Sequence, residues 1–197
     1  PHYVVELNIK RGVMQLEKVE IKNFRLLQNV QLLLEKTVTV IVGRNNTGKT
    51  SLTEVMRRVL QDTSATFRLE DFSFSTHQEC WGAFVATRKN APEAHVRKLL
   101  PVIEVRLTFA YEKNEELGLL NDFIVDLDPA CTKALIVMEY GLKEGRLKDL
   151  FVDLVEKKTV TKVEFFRTIR ERIPALYGPT YIAVDPNDVT NQKPVEA

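Results

Sequence analysis

The 197 residues hold only two cysteines, Cys80 and Cys131, with no repeated spacing. That excludes a disulfide framework and points to a reducing compartment. No apolar stretch approaches the roughly 20 residues of a membrane-spanning helix. No secretory leader is visible either, so the expected location is the cytoplasm, with no membrane contact. Charge of one sign is also lacking. Lys and Arg total 28 against 27 Asp and Glu, so the net charge is +1 and gives no global electrostatic case for nucleic acid or an anionic membrane. Glycine is scarce at eight residues, no two of them adjacent and none following a serine. What remains is ordinary: 44% hydrophobic and 28% charged, enough for one domain with a real core.

Two of those glycines fall within residues 43–51, which read GRNNTGKTS. Gly43, Gly48, Lys49 and Thr50 fill the pattern G-x-x-x-x-G-K-[ST]. A loop that aims several backbone N–H groups at one phosphate must curl tightly, and glycine does so without a Cβ clash. Asn45 and Asn46 suit such a loop because asparagine tolerates left-handed angles. The following helix adds unpaired N–H groups and a partial positive charge. Lys49 then reaches the β- and γ-phosphates, and the Thr50 hydroxyl ligates Mg²⁺. The expected nucleotide contacts are Gly43, Arg44, Asn45, Asn46, Thr47, Gly48, Lys49, Thr50 and Ser51.

The flanks agree with the motif. Residues 37–42 (TVTVIV) form a β-branched run that reads as a buried parallel strand. After the loop, Leu52, Val55, Met56 and Val59 recur at i, i+3, i+4 and i+7, the apolar stripe of a helix. Upstream, Leu16, Val19 and Ile21 sit in a first strand, residues 23–25 make a turn, and Val30, Leu32 and Leu34 alternate as a second strand. An antiparallel meander therefore precedes the phosphate loop.

This order, with LEKVEIKNFRLLQNVQLLL followed by VIVGRNNTGKTSLTEVMRRVL, resembles the ABC-type ATPase heads of the SMC and RecF group. It most resembles the OLD (overcoming lysogenisation defect) family of ATP-dependent nucleases. Ile21, Asn23, Phe24 and Arg25 fit that family's I-x-N-F-R. Gly43, Asn45, Asn46, Gly48, Lys49, Thr50, Leu52 and Glu54 fit its G-x-N-N-x-G-K-[ST]-x-L-x-E. The match covers about a quarter of the chain in strong form. It implies an α/β P-loop NTPase, an ABC-ATPase-like N-terminal lobe with a meander before the Walker A strand. It implies ATP and Mg²⁺ as cofactors and Arg25 as a nucleotide contact. It also implies a homodimer formed through ATP-bound heads, with DNA reached indirectly through a nuclease part or partner, in DNA repair or anti-phage defence.

Further along, residues 102–111 alternate strictly and predict a strand, with Ile103, Val105, Leu107 and Phe109 on one face. Residues 115–123 suit a helix and 133–140 a strand. Residues 162–173 suit an amphipathic helix with Val163, Phe166, Ile169 and Ile173 as its stripe, ended by Pro174. Residues 180–184 predict a short strand. The expected division is an N-terminal extension over 1–13, an ATPase lobe over 14–185, and a frayed polar tail over 186–197 that leads toward a missing part.

The sequence has no LSGGQ-like signature loop. Three stretches imitate a Walker B strand without completing it: FIVDLD at 123–128, LIVME at 135–139 and YIAVD at 181–185. Asp126 and Asp128 echo a Toprim nuclease, but surface acids are the default reading. His77 with Cys80 makes an incidental pair rather than a four-ligand zinc site. The basic stretch of Arg88, Lys89, His95, Arg97 and Lys98 reads first as a solvated surface. Two other functions stay open. One is a small P-loop kinase whose Arg167, Arg170 and Arg172 clamp phosphate; the other is a non-catalytic nucleotide-binding module.

Overall fold

The computed structural model describes residues 3–7, 10–11, 14–44, 47–61, 65–112, 123–125 and 131–195. Asn45, Asn46, Asp126, Asp128 and most of the helix expected over 115–123 lie outside them.

The strands in chain order are β1 (Tyr3–Leu7), β2 (Lys10–Arg11), β3 (Met14–Phe24), β4 (Leu27–Leu33) and β5 (Thr39–Gly43). They are followed by β6 (Ile103–Tyr111), β7 (Lys133–Leu142), β8 (Tyr177–Val184) and β9 (Gln192–Val195). Seven of them make one antiparallel sheet in the order β2-β3-β6-β7-β8-β9, with β4 also paired to β3. The helices are α1 (Lys49–Leu60), α2 (Phe74–Arg88), α3 (Glu93–Leu99), α4 (Leu147–Phe151) and α5 (Lys162–Leu176), with a 3-10 turn at Leu69–Asp71.

The helices cover one face of the sheet. Leu16, Val19 and Ile21 of β3 reach that face together because the register with β6 shifts between Leu16 and Lys18. Such a bulge corrects parity between positions an odd number apart. Ile103, Val105 and Leu107 of β6 and Met138 and Tyr140 of β7 continue the layer. Against it pack Leu52, Val55 and Met56 of α1, Phe84 of α2, Phe151 of α4 and Phe165 of α5. The other face of β3 and β6 is charged, with Lys22–Glu104 at 2.9 Å and Arg106–Glu104 at 2.7 Å. That alternation is what a sheet covered on one side requires.

Four expectations need correction. The strand before the loop is neither buried nor parallel: β5 pairs antiparallel with β1 in a separate two-stranded sheet. Ile41 packs on the core, whereas Val40 and Val42 are more than half exposed, so a β-branched run did not mean burial on both faces. In α5, Ile169 and Ile173 are buried as expected and Phe166 packs partly buried on the core, but Phe165 takes the deepest aromatic place and Val163 is 82% exposed. Pro174 does not end that helix, which runs to Leu176. Finally, Gln192–Val195 is not frayed but pairs with β8.

Candidate functional site

The meander, the loop and α1 meet at one place. Gly48 is the N-cap of α1 at φ +91°, a left-handed angle that disfavours any side chain. A Cβ there would come within 2.9 Å of Leu27 Cδ2, so the β3–β4 turn presses directly on the loop. A Cβ on Gly43 would come within 2.9 Å of Thr47 Oγ1. Gly48 is thus required by its backbone angle, and a side chain on Gly43 would force Thr47 to shift. Thr47 Oγ1 closes the curl by donating to the Arg44 carbonyl at 2.8 Å.

Lys49 is buried and its ammonium turns back into the loop. It donates to the carbonyl oxygens of Gly43 and Arg44 and lies 3.4 Å from Thr47 Oγ1. Phosphate oxygens held by the loop would take over these donors. Thr50 stands exposed in the first turn of α1, while Ser51 beside it is buried. The first turn of α1 has no acidic residue and its last turn carries Arg57 and Arg58, so the dipole at the loop end stays positive. The donor set therefore fits a polyphosphate with its divalent cation: an ammonium, two loop glycines, a helix N-terminus and an exposed hydroxyl.

Arg25 follows Phe24 on the β3–β4 turn, beside the loop, with φ +48°. Its guanidinium is committed to Asp71, through Nε at 2.9 Å and Nη2 at 2.7 Å. Arg58 Nη1 donates to the same carboxylate at 2.7 Å, and Arg58 Nε donates to Glu54 at 2.7 Å. The Arg68 amide adds a bond to Asp71 at 3.0 Å. Burial pushes the Asp71 carboxyl up, but the Arg68 amide, Arg58 and Arg25 outweigh it and hold it below its usual value. Hydrogen bonds from Arg57 and then Arg58 pull the Glu54 carboxyl down to about 2. This chain of charges was missed in the sequence. Only its Glu54–Arg57 and Glu54–Arg58 links, at i,i+3 and i,i+4, had a visible signal.

Two of the three Walker B imitators are not brought to the loop; the acids of the third, Asp126 and Asp128, lie outside the described residues. Glu139 lies on β7 between Met138 and Tyr140, which face the helices, so its own side chain is on the opposite face. The Asp185 carboxylate accepts from the Asn187 amide at 2.8 Å and holds the β8–β9 turn. Among the described residues, no three His, Cys, Asp or Glu side chains gather as a metal site. His77 faces the Leu69 carbonyl at 3.2 Å, while Cys80 is fully buried and its thiol is pushed up to about 12 by burial. The proposed kinase clamp is dispersed: Arg170 pairs with Glu70, and Arg172 anchors to the Leu150 and Val152 carbonyls. Arg97 likewise binds Glu93 and lies 3.4 Å from the Leu142 and Lys143 carbonyls, a surface role. No helix among the described residues is long and apolar enough to cross a membrane.

Comparison with known proteins gives one match. The family model described as an AAA ATPase domain covers residues 14–177, most of the chain, including the meander, the loop and the sheet to the start of β8. No curated protein and no solved structure matches. A mixed α/β fold with an antiparallel sheet and a P-loop is consistent with that family. The chain belongs to the AAA ATPase domain family, whose members bind ATP and act as ATPases.

Proposed function

We propose that the loop over residues 43–51 holds ATP and Mg²⁺ in this chain, and that the chain is the ATP-binding lobe of an OLD-like ATP-dependent nuclease. The observation that carries the first part is the Lys49 ammonium, turned back into a loop whose Gly48 takes a left-handed angle. Lys49 and the loop amides bind the phosphates, and the Thr50 hydroxyl completes the Mg²⁺ shell. Magnesium would neutralise charge on the phosphates during transfer. The support for the OLD assignment is the sequence match, together with Arg25 lying on the turn that presses on Gly48. On this reading ATP is sandwiched between two heads of a homodimer, and its hydrolysis gates DNA processing by a nuclease part.

The test is equilibrium binding of a fluorescent ATP analogue with Mg²⁺, wild type beside Lys49→Ala, with phosphate release followed in the same samples. Lys49-dependent binding is expected. Absence of binding in a folded wild-type chain overturns the proposal. Turnover by the chain alone, without a second head, overturns the sandwich.

A further inference from the structure

A second polar cleft, of about 460 Å³, opens beside the second half of α1. Arg25, Arg57, Arg58, Arg68, Glu70 and Asp71 line it. Arg57 is eight residues beyond Lys49, which places it about 12 Å along the helix from the phosphate loop. The Arg57 end of the cleft is therefore apart from the loop, while Arg25 at its other side stands on the turn that presses on Gly48.

Among the described residues its charge balance is positive. Four guanidiniums meet two lining carboxylates, and Glu54 at the edge adds a third. Asp71 is 4% exposed and fully occupied by Arg25, Arg58 and the Arg68 amide. Glu70 is held by Arg170 of α5. The carboxylates thus act as fixed braces. Each guanidinium carries five N–H donors, so a braced arginine keeps donors for a further acceptor in a set geometry.

An aromatic surface is tied to the turn that carries Arg25. Ser73 fixes the start of α2 to the β3–β4 turn, its hydroxyl donating to the Arg25 carbonyl at 2.8 Å and its amide to the Asn23 carbonyl at 2.9 Å. The next residue, Phe74, is 81% exposed. Its ring lies 5.6 Å from His77, which lies 5.8 Å from Phe166 on α5, the helix that also carries Arg170. Guanidiniums together with an exposed ring are the pairing that binds single-stranded nucleic acid, with cations on the backbone and a planar group on a base.

We propose that this cleft is a phosphodiester subsite that takes a single-stranded nucleic-acid backbone, with Phe74 as a stacking surface for a base beside it. This goes beyond the function proposed above, in which DNA is reached only through a nuclease part. The net charge of +1 does not oppose it, because the cationic groups are concentrated locally.

The test is fluorescence anisotropy of a labelled single-stranded oligonucleotide, titrated without nucleotide into the full chain. Wild type is compared with Arg57→Ala, Arg68→Ala and Phe74→Ala, all at exposed positions, with circular dichroism checking the fold. Each arginine variant is expected to weaken binding several-fold and to lower the salt slope by about one. Phe74→Ala weakens binding by about fivefold or more and leaves the salt slope unchanged. Binding that is absent in folded wild type, or indifferent to all three substitutions, overturns the proposal. Inorganic pyrophosphate is the small-anion arm: arginine-dependent pyrophosphate binding without oligonucleotide binding also overturns it. Lys49→Ala, run in parallel, removes ATP affinity while oligonucleotide binding persists, so each reading fails or stands separately.

Discussion

The Asp71 carboxylate lies 2.7 Å from the Arg58 guanidinium and ties the 3-10 turn at Leu69–Asp71 to helix α1. Their side chains are 5% and 16% exposed. Removing one partner strands a charge in a partly buried setting. Asp71→Ala is expected to cost about 3 kcal/mol, read from urea denaturation. Asp71→Ala combined with Arg58→Met should recover part of that loss, because replacing a whole buried pair by apolar groups is far less harmful. A double variant as unstable as the sum of the singles would show that the two residues do not act as a pair.

The same network sets a pH dependence. Asp71 and Glu54 both have folded carboxyls below their usual values, Glu54 at about 2. A depressed carboxyl contributes stability that is fully present above its unfolded value and is lost as pH falls through the folded one. The urea midpoint is therefore expected to hold from neutral pH down to about 5 and to fall between about 4 and 2. Glu54 is the more solvated of the two, so its share is weakened by screening. In Asp71→Asn the acid decline should be shallower.

The phosphate loop was legible because its chemistry is local. Gly43, Gly48 and Lys49 are fixed by a spacing, and among the described loop residues Gly48 takes a left-handed angle and Lys49 turns back toward Gly43. The sheet strand at Ile103–Phe109 was legible from alternation for the same reason. Asp71 was not, since its partners Arg25 and Arg58 lie 46 and 13 residues away and no pattern joins them. In α5 the sequence marked Ile169 and Ile173 but not Phe165 as the deepest aromatic, because Phe165 and Phe166 are adjacent and periodicity alone does not choose between them. Partnering of β5 with β1 is likewise a tertiary choice that a β-branched run does not encode.

Glycine substitutions separate the loop from the rest of the helical layer. Gly48→Ala places a Cβ at φ +91°, against Leu27. A left-handed alanine costs roughly 1–2 kcal/mol, and the turn must also yield. The expected result is a lower melting temperature together with weakened ATP binding. Gly82→Ala is the control, inside α2 with open space around the new methyl. It should raise stability by about 0.5–1 kcal/mol and leave binding unchanged.

The two cysteines should differ in reactivity. Cys80 is completely buried, with its thiol pushed up to about 12 by loss of solvent. Cys131 is partly exposed. Since the thiolate is the reactive form, a disulfide reagent at pH 8 should titrate Cys131 alone in the native chain and both after denaturation. Rapid labelling of Cys80 under native conditions would mean that α2 opens from the sheet.

Two buried tyrosines make opposite predictions from one chemistry. The Tyr140 hydroxyl donates to the Phe67 carbonyl at 3.1 Å. The Tyr177 hydroxyl is the one buried side-chain polar atom among the described residues with no partner, although its ring packs 6.1 Å from that of Tyr140. Removing a satisfied donor strands its acceptor, whereas removing an orphan relieves an uncompensated desolvation. Tyr140→Phe should therefore lower stability by about 1 kcal/mol, and Tyr177→Phe should leave it unchanged or raise it by up to about 1 kcal/mol. Both retain the ring, so core volume and aromatic contacts are matched. Urea midpoints that shift in the same direction by the same amount would mean that both hydroxyls have partners.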